Sequence, residues 1–150
     1  MSYPRFDNSR HNLGFILLCL LVKGSSQALE VDGWLAAGEL LAASAIAWTG
    51  FLNGPVTPVE ISRATAVLQS RIVPFGQPEA AFAAELFNKT GRRRGSRFDC
   101  LIAATAIQAQ AEVATANQGD FKAFVPHGLK LAAAPAPQPS PSGPQLTGIN

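Results

Sequence analysis

The sequence predicts a doubly wound α/β domain whose central, mostly parallel sheet is flanked by helices. Short apolar runs alternate with helical segments along most of the chain, which is the pattern of such folds. The run Leu40–Ala47 is continuously apolar, as expected of a strand buried on both faces of a parallel sheet. With 150 residues, 47% of them hydrophobic and 15% charged, the chain is long enough for one domain with a substantial core.

The N-terminal segment is predicted to contain a short strand and then a buried helix. Ser2–Phe6 fits a first strand that ends at Asp7, and Leu13–Val22 fits the first helix. The same apolar run, with arginines before it and Ser-Gln-Ala at 26–28 after it, is also typical of a secretory signal peptide. It is far shorter than the roughly 20 residues that span a bilayer, so no membrane segment is expected.

The central elements follow from apolar spacing and from helix boundary signals. Leu29–Ala37 is predicted to be a helix that Gly38 ends, and the Leu40–Ala47 strand leads into a helix at Trp48–Leu52. The clearest helix start is Thr57-Pro58-Val59-Glu60, which combines a threonine N-cap, a first-turn proline and the glutamate of a capping box. The remaining predicted elements are the strand Ile72–Val73, a helix from Pro78 to Gly91, a helix beginning near Asp99, and the strands Val113–Ala116 and Leu129–Leu131.

The composition changes from Ala132 onward. This stretch is rich in proline, serine and alanine and has no periodic apolar face. We therefore expect a domain over residues 1–131 and a disordered tail over residues 132–150.

Charge and cysteine usage indicate the setting of the protein. The net charge of +2 is small, but a basic cluster without an acid is expected to contact phosphate or an acidic protein. Its members are Lys89, Arg92, Arg93, Arg94 and Arg97. Both cysteines, at positions 19 and 100, lie in apolar surroundings without metal-ligand spacing. Buried free thiols in a reducing cytoplasm are the expected interpretation.

Three carboxylates are candidates for a metal site. Asp7, Asp99 and Asp120 each follow a predicted strand or begin the next helix, and ligands of open α/β sheets bind beyond the carboxyl ends of the strands. Three such carboxylates would repel one another unless a cation lay between them. Hard cations such as Mg²⁺ take oxygen ligands and bridge to phosphates, which suits phosphodiester hydrolysis.

Four sequence segments resemble PIN-domain ribonucleases of the VapC toxin type. They are G-R-R-R-G-S-R-F-D-C-L-I-A-A-T-A-I, A-T-A-N-Q-G-D-F, V-P-H-G-L-K-L and A-I-A-W-T-G-F-L-N-G-P-V-T-P-V-E, and the resemblance covers residues 29–131. It implies a PIN-like fold that cleaves RNA with Mg²⁺ or Mn²⁺ held by four acids. It also implies a homodimer that a cognate antitoxin protein silences.

The resemblance implies roles for individual residues. Asp99 matches the acid that begins the long C-terminal helix, and Asp120 and Asn117 match the acid and the polar residue of the N-x-x-D-F turn. Asp7 matches the acid of the first strand by position. Gly50 stands where the family has a glutamate. The loop arginines Arg92, Arg93 and Arg94 are expected to steer the RNA backbone.

Other interpretations remain open at this stage. Ser96-x-x-Asp99 is itself a capping-box pattern, and Asp120 and Asn117 could serve as an N-cap and an Asx turn. Because of Gly50, the chain could be a weakened or inactive PIN-fold protein that dimerises and binds an antitoxin. A more distant alternative is an exported α/β protein from which residues 1–28 are removed.

Overall fold

The computed structural model describes residues 16–18, 26–115 and 117–133, with side chains except at 17 and 26–29. Strands and helices alternate over these ranges, as the sequence predicts. In chain order the elements are β1 (Ile16–Leu18), α1 (Ser26–Ala36), β2 (Leu41–Ser44), α2 (Ala45–Asn53), α3 (Pro58–Leu68), β3 (Ile72–Val73), α4 (Gln77–Lys89), α5 (Arg97–Gln108), β4 (Glu112–Ala114), α6 (Gln118–Phe121), a 3-10 helix (Lys122–His127) and β5 (Lys130–Leu131).

The strands form one five-stranded sheet in the order β3-β2-β1-β4-β5, and every described pairing is parallel. The chain moves outward from β1 to β3, and then returns to place β4 on the other side of β1. Ligands bind in such sheets where the strand order reverses, beyond the carboxyl ends of the strands. We call this end of the sheet the carboxyl edge; it is formed by Leu18, Ser44, Val73, Ala114 and Leu131.

The predicted helix Leu13–Val22 is wrong over the residues that the structure describes. Ile16–Leu18 is the central strand, paired with β2 on one side and β4 on the other. Ile16 and Leu18 are almost completely buried. An apolar run without period fits a strand buried on both faces as well as it fits a helix, and here the strand is formed. The predicted first strand, Ser2–Phe6, lies outside the described residues.

The predicted strand Leu40–Ala47 is confirmed in its first half and is too long in its second. β2 ends at Ser44, and α2 begins at once because Ser44 serves as its N-cap. The backbone of Ser44 is extended, and its Oγ accepts a hydrogen bond from the backbone N–H of Ala47 at 3.0 Å. A serine inside an apolar run therefore marks the change from strand to helix.

The predicted start of α3 is confirmed in detail. Thr57 Oγ1 accepts a hydrogen bond from the backbone N–H of Glu60 at 3.2 Å, and the Glu60 carboxylate accepts one from the N–H of Thr57 at 2.8 Å. Pro58 occupies the first turn, where the missing N–H costs nothing. At the end of α1, Gly38 has the positive φ of 80° that suits the residue after a helix.

The core lies on both faces of the sheet. Neighbouring strand residues belong to different clusters: Ala42 and Val113 pack in one, and Ala43 and Ala114 in the other. Helices α4 and α5 and the 3-10 helix cover the first face, whereas α1 and α3 cover the second.

The last described residues are hydrogen-bonded to α1 and to β4. Trp34, which is 5% exposed on α1, donates a hydrogen bond from Nε1 to the carbonyl of Ala133 at 3.2 Å. Ala132 continues the sheet ladder by donating to the carbonyl of Val113 at 2.8 Å. Residues 134–150, which make up most of the predicted tail, lie outside the described residues. Of the helices that the structure describes, none is both long enough and apolar enough to cross a membrane.

Candidate active site

Asp99 lies in the first turn of α5, at the carboxyl edge of the sheet. Helix α5 runs back across one face and turns at residues 109–111 into β4, so its first turn must lie at the opposite end, where β4 finishes. The helix is held in place by an apolar face of Cys100, Ala103 and Ala104, all of them buried. Asp99 itself is half-buried.

Asp99 has no capping role in the structure. Ser96 precedes the helix, but its side chain makes no cap hydrogen bond and instead donates to the carbonyl of Arg93 at 2.8 Å. The capping-box interpretation of Ser96-x-x-Asp99 is therefore wrong. The carboxylate of Asp99 stays available for a ligand, near the positive end of the helix dipole.

Asp120 reaches the same edge from the other direction. Strand β4 ends at Ala114, and the short helix α6 begins only a few residues later, with Asp120 exposed in its first turn. The backbone N–H of Asp120 donates to the carbonyl of Asn117 at 3.0 Å. The side chain of Asn117 makes no cap hydrogen bond to α6 and is exposed to solvent.

The environment of Asp99 makes its carboxyl group costly to ionise. Burial raises the pKa of Asp99, and the negative charge of Asp120 raises it further. The positive charge of a bound cation would offset both effects. The structure therefore brings together two of the three predicted acids, Asp99 and Asp120, with Asn117 beside the second.

These residues suit a hard divalent cation of modest affinity. Mg²⁺ is commonly held by one or two carboxylates, with water and substrate phosphate completing its shell. In the part of the chain that the structure describes, no three side chains of the His, Cys, Asp or Glu types come close enough to hold a metal together. The donor set thus fits Mg²⁺ or Mn²⁺ through oxygen ligands, without a complete protein cage.

Position 50, where the family resemblance implies a glutamate, is a glycine. Gly50 lies inside α2, whose sequence AIAWTGFLN contains no acid, and α2 packs against α5. The glycine is exposed, and a Cβ built on it would meet no heavy atom within 4 Å. Space for a longer side chain is therefore available, and no close packing or positive φ demands a glycine there.

The prediction for Asp7 depends on a first strand at Ser2–Phe6, which lies outside the described residues. The first strand that the structure describes is β1 (Ile16–Leu18), and the residue that follows it in the sequence is Cys19. Asp7 lies outside the described residues, and its part in the site stays a prediction.

The predicted basic loop is exposed beside Asp99. Gly91, Arg92 and Gly95 have φ angles of 88°, 53° and 87°, which fold the connection between α4 and α5 into a tight turn. Arg92, Arg93 and Arg94 are all exposed. Sequence reasoning missed the aromatic residues here: Phe87, which contacts two arginines, and Phe98, which is exposed between Arg97 and Asp99. Their signal was the interleaving of aromatic and basic residues.

Solved structures with the same fold were found at low sequence identity. The structure of FitAB bound to an IR36 DNA fragment matches with a TM-score of 0.58 and 23% identity, covering 83% of this chain and 99% of that one. FitAcB from Neisseria gonorrhoeae matches with a TM-score of 0.57 and 24% identity, over 79% and 97% of the two chains. VapBC2 from Rickettsia felis, bound to a DNA fragment from its promoter, matches with a TM-score of 0.53 and 23% identity, over 78% and 97%.

A search of curated proteins found no match to the sequence. The family model of the PIN domain matches residues 16–124, a span that includes β1, Gly50, Asp99 and Asp120. The resemblance to PIN-domain proteins is confirmed by this match, and the FitAB and VapBC structures share the fold. The chain belongs to the PIN domain family.

Proposed function

We propose that this chain is a metal-dependent endoribonuclease of the toxin–antitoxin class, which hydrolyses RNA phosphodiesters at Asp99 and Asp120. The observation that carries the proposal is the half-buried Asp99, whose pKa is raised first by burial and then by Asp120. Perturbed carboxylates at the carboxyl edge of an α/β sheet are the usual mark of a functional site. Asp7 is the third predicted ligand in this proposal.

The proposed mechanism assigns one task to each side chain. Asp99 and Asp120 would hold Mg²⁺ or Mn²⁺, which supplies a hydroxide nucleophile and neutralises charge on the phosphate. Asp99 is fixed by the packed helix α5, so its carboxylate needs little ordering when the ligand binds. Asn117 would orient Asp120 or a water molecule through its side-chain amide, and Arg92, Arg93 and Arg94 would hold the RNA backbone.

The proposal includes protein partners and a location. The similar structures are two-protein complexes, FitAB and VapBC, and two of them are bound to DNA. We infer that this chain likewise pairs with a cognate antitoxin, forms a homodimer and works in the cytoplasm. The buried free thiol of Cys100 suits a reducing compartment.

A second candidate function is supported by Gly50. Without a carboxylate on α2, the described site offers two acids, which favours weak metal binding. The chain would then be a catalytically weakened or inactive PIN-fold protein that dimerises and binds an antitoxin. In that case its thermal stability and its oligomeric mass would be the same in EDTA and in Mg²⁺.

Calorimetric titration of the full chain with Mg²⁺ and Mn²⁺ tests the first function against the second. Saturable binding is expected in the wild type, and its loss is expected in Asp120→Asn. The matched control is Asp32→Asn, which removes one exposed carboxylate from α1 and should leave metal binding unchanged.

RNA cleavage in the same buffers completes the test. Cleavage that requires Mg²⁺ or Mn²⁺, stops in EDTA and disappears with Asp120→Asn would support the ribonuclease. A wild type that binds neither metal, yet folds and forms a stable dimer, would contradict it and leave the antitoxin-binding function.

A further inference from the structure

An exposed aromatic residue, Phe98, lies in the first turn of α5, as Asp99 does. Among the large apolar side chains that the structure describes, Phe98 is the most exposed at 68%; Leu35, Leu52, Val59 and Val125 range from 40% to 59%. Phe98 is the second residue of α5 and the chain neighbour of Asp99. A phenylalanine in this position contributes nothing to the core of the domain, so packing does not explain it.

Two positive charges contact a second aromatic ring, Phe87, close in the sequence to Phe98. The guanidinium carbons of Arg92 and Arg97 lie 5.8 Å and 5.5 Å from the ring centroid of Phe87, so both groups contact the same ring. Phe87 is half-buried in the core through α4, which makes it a firm support. No ion pair joins these arginines to a carboxylate in the described ranges, whereas the nearby Lys89 is paired with Glu85.

Two exposed guanidinium groups on one ring, without a described acid beside them, form a surface that is complementary to an anion. The loop between them is closed by backbone hydrogen bonds, since Arg92 N–H donates to the carbonyl of Phe87 and Ser96 N–H to that of Arg93. The backbone that carries both arginines is therefore ordered by the end of α4 and the start of α5.

We propose that Phe98 and the Arg92–Phe87–Arg97 group form a docking site for single-stranded RNA, in which an unpaired base stacks on Phe98 and an adjacent phosphate lies between the two guanidinium groups. This inference rests on the proposed ribonuclease function and assigns the residues that would position the RNA strand. RNA fits because it alternates aromatic faces with phosphates, and the surface offers a free ring beside a cationic pair.

The inference excludes duplex RNA as the preferred ligand. Bases inside an A-form helix are stacked on one another, so their faces cannot reach Phe98. Stacking is also tolerant of base identity, because every base has a π-face. Phe98 would therefore fix where the strand lies relative to Asp99, and it would not by itself select a sequence.

RNA binding measured in EDTA separates docking from hydrolysis. The probe is a short fluorescein-labelled oligouridylate, read by fluorescence anisotropy with the full chain. Phe98→Ala should weaken binding by about tenfold, the size expected for one lost stacking contact, and Phe98→Trp should keep or improve it. Neither variant should alter binding of an abasic ribose-phosphate strand of equal length, which has no base to stack.

Arg97→Gln should behave differently from Phe98→Ala. It should weaken the oligouridylate and the abasic strand alike, and it should reduce the slope of log affinity against log salt by about 0.7. The matched control is Val59→Ala, which shortens another exposed apolar side chain on α3 and should leave all binding unchanged. Circular dichroism and thermal midpoints equal to those of the wild type confirm that each variant is folded.

The outcomes distinguish failure of this inference from failure of the proposed function. If Phe98→Ala binds the oligouridylate as the wild type does, or if the wild type binds no RNA, the docking site is wrong. If RNA binds through Phe98 but no metal produces cleavage, the docking site is supported and the proposed ribonuclease activity is contradicted. If Phe98→Ala instead changes the oligomeric mass, the ring belongs to a protein interface and the inference is overturned.

Discussion

Helices α2 and α5 both border the carboxyl edge of the sheet and both pack into the core, but only α5 carries a carboxylate. On the β2 side, Ser44 caps α2 directly at the strand end, and Ala47 packs into the core. On the β4 side, α5 packs through Cys100 and Ala103 and presents Asp99. The first helix contains no acid and has an exposed glycine at position 50, whereas the second places a carboxylate close to Asp120.

This difference shows that fold and chemistry are separable in this domain. The packing of α2 depends on its cap and on its buried face, and neither involves residue 50. A glycine at position 50 is therefore compatible with this architecture. In the proposed function it leaves the metal site with one carboxylate fewer, so we expect the fold to be unaffected and the metal to bind more weakly.

The largest expected effect comes from removing the carboxylate of α5. Asp99→Asn should abolish saturable Mg²⁺ binding and lower metal-dependent RNA cleavage by ~10²-fold or more, because a metal supplies several kcal/mol of transition-state stabilisation. Calorimetry and a cleavage assay measure the two effects. Unchanged cleavage in this variant would show that Asp99 is not part of the active site.

Supplying a carboxylate on the other side should have the next largest effect. Gly50→Glu is expected to raise Mg²⁺ affinity by about tenfold, since affinity follows the number of charged ligands, and to raise cleavage with it. The matched control is Gly50→Ala, which removes the same glycine and should stabilise α2 by up to ~1 kcal/mol without affecting metal binding. If both variants bind Mg²⁺ equally, residue 50 is not part of the metal site.

The structural role of the β2 side can be tested at Ser44. Ser44→Ala removes the N-cap of α2 and leaves the N–H of Ala47 without its partner in a buried position, at a cost of about 1–2 kcal/mol. The thermal midpoint should fall by about 3 °C or more. Thr57→Ala, at the exposed cap of α3, is the comparison and should cost less, and metal affinity per folded molecule should be the same in both.

The smallest expected effect is a pH-dependent change in stability. Because the folded-state pKa of Asp99 is raised, the folded protein holds that proton more tightly than the unfolded chain does. Stability therefore decreases as pH rises from the ordinary carboxyl range near ~4 through the raised folded pKa, and the loss is complete above it.

Thermal midpoints across pH, measured without metal, check this effect. Asp99→Asn should be more stable than the wild type at neutral pH, by about 1–2 °C, and the gain should vanish in acid. Asp120→Asn should reduce the pH dependence of the wild type, since it removes the second cause of the shift. A variant that is less stable than the wild type at neutral pH would contradict the assigned direction.

Much of the fold was predictable because local signals and burial agreed. The capping box at Thr57, the glycine after α1 and the apolar face of α5 all led to the observed elements. The central strand was missed because Ile16–Leu18 is flanked by further apolar residues, and its identity as a strand depends on pairing with β2 and β4. Strand pairing between residues that are far apart in the sequence cannot be predicted from a short stretch of that sequence.

The site was predictable where strand ends could be located. Asp99 and Asp120 follow from the rule that ligands bind at the carboxyl ends of parallel strands, and the structure brings both to that edge. Asp7 was derived by the same rule from a predicted strand, Ser2–Phe6, that lies outside the described residues, and its role stays a prediction. The stacking of Arg92 and Arg97 on Phe87 needed the tertiary structure, because the turn at Gly91 and Gly95 determines which side chains meet.

The position of β1 in the middle of the sheet also bears on how the chain folds during synthesis. Strand β2 can join β1, and β3 can join β2, as soon as they leave the ribosome, but the other side of β1 is paired by β4, which begins at Glu112. Everything from residue 19 to residue 111 is made in between, which takes on the order of 5–20 s. For that time an apolar strand edge is open to other chains, so the nascent protein should depend on chaperones until β4 closes the sheet.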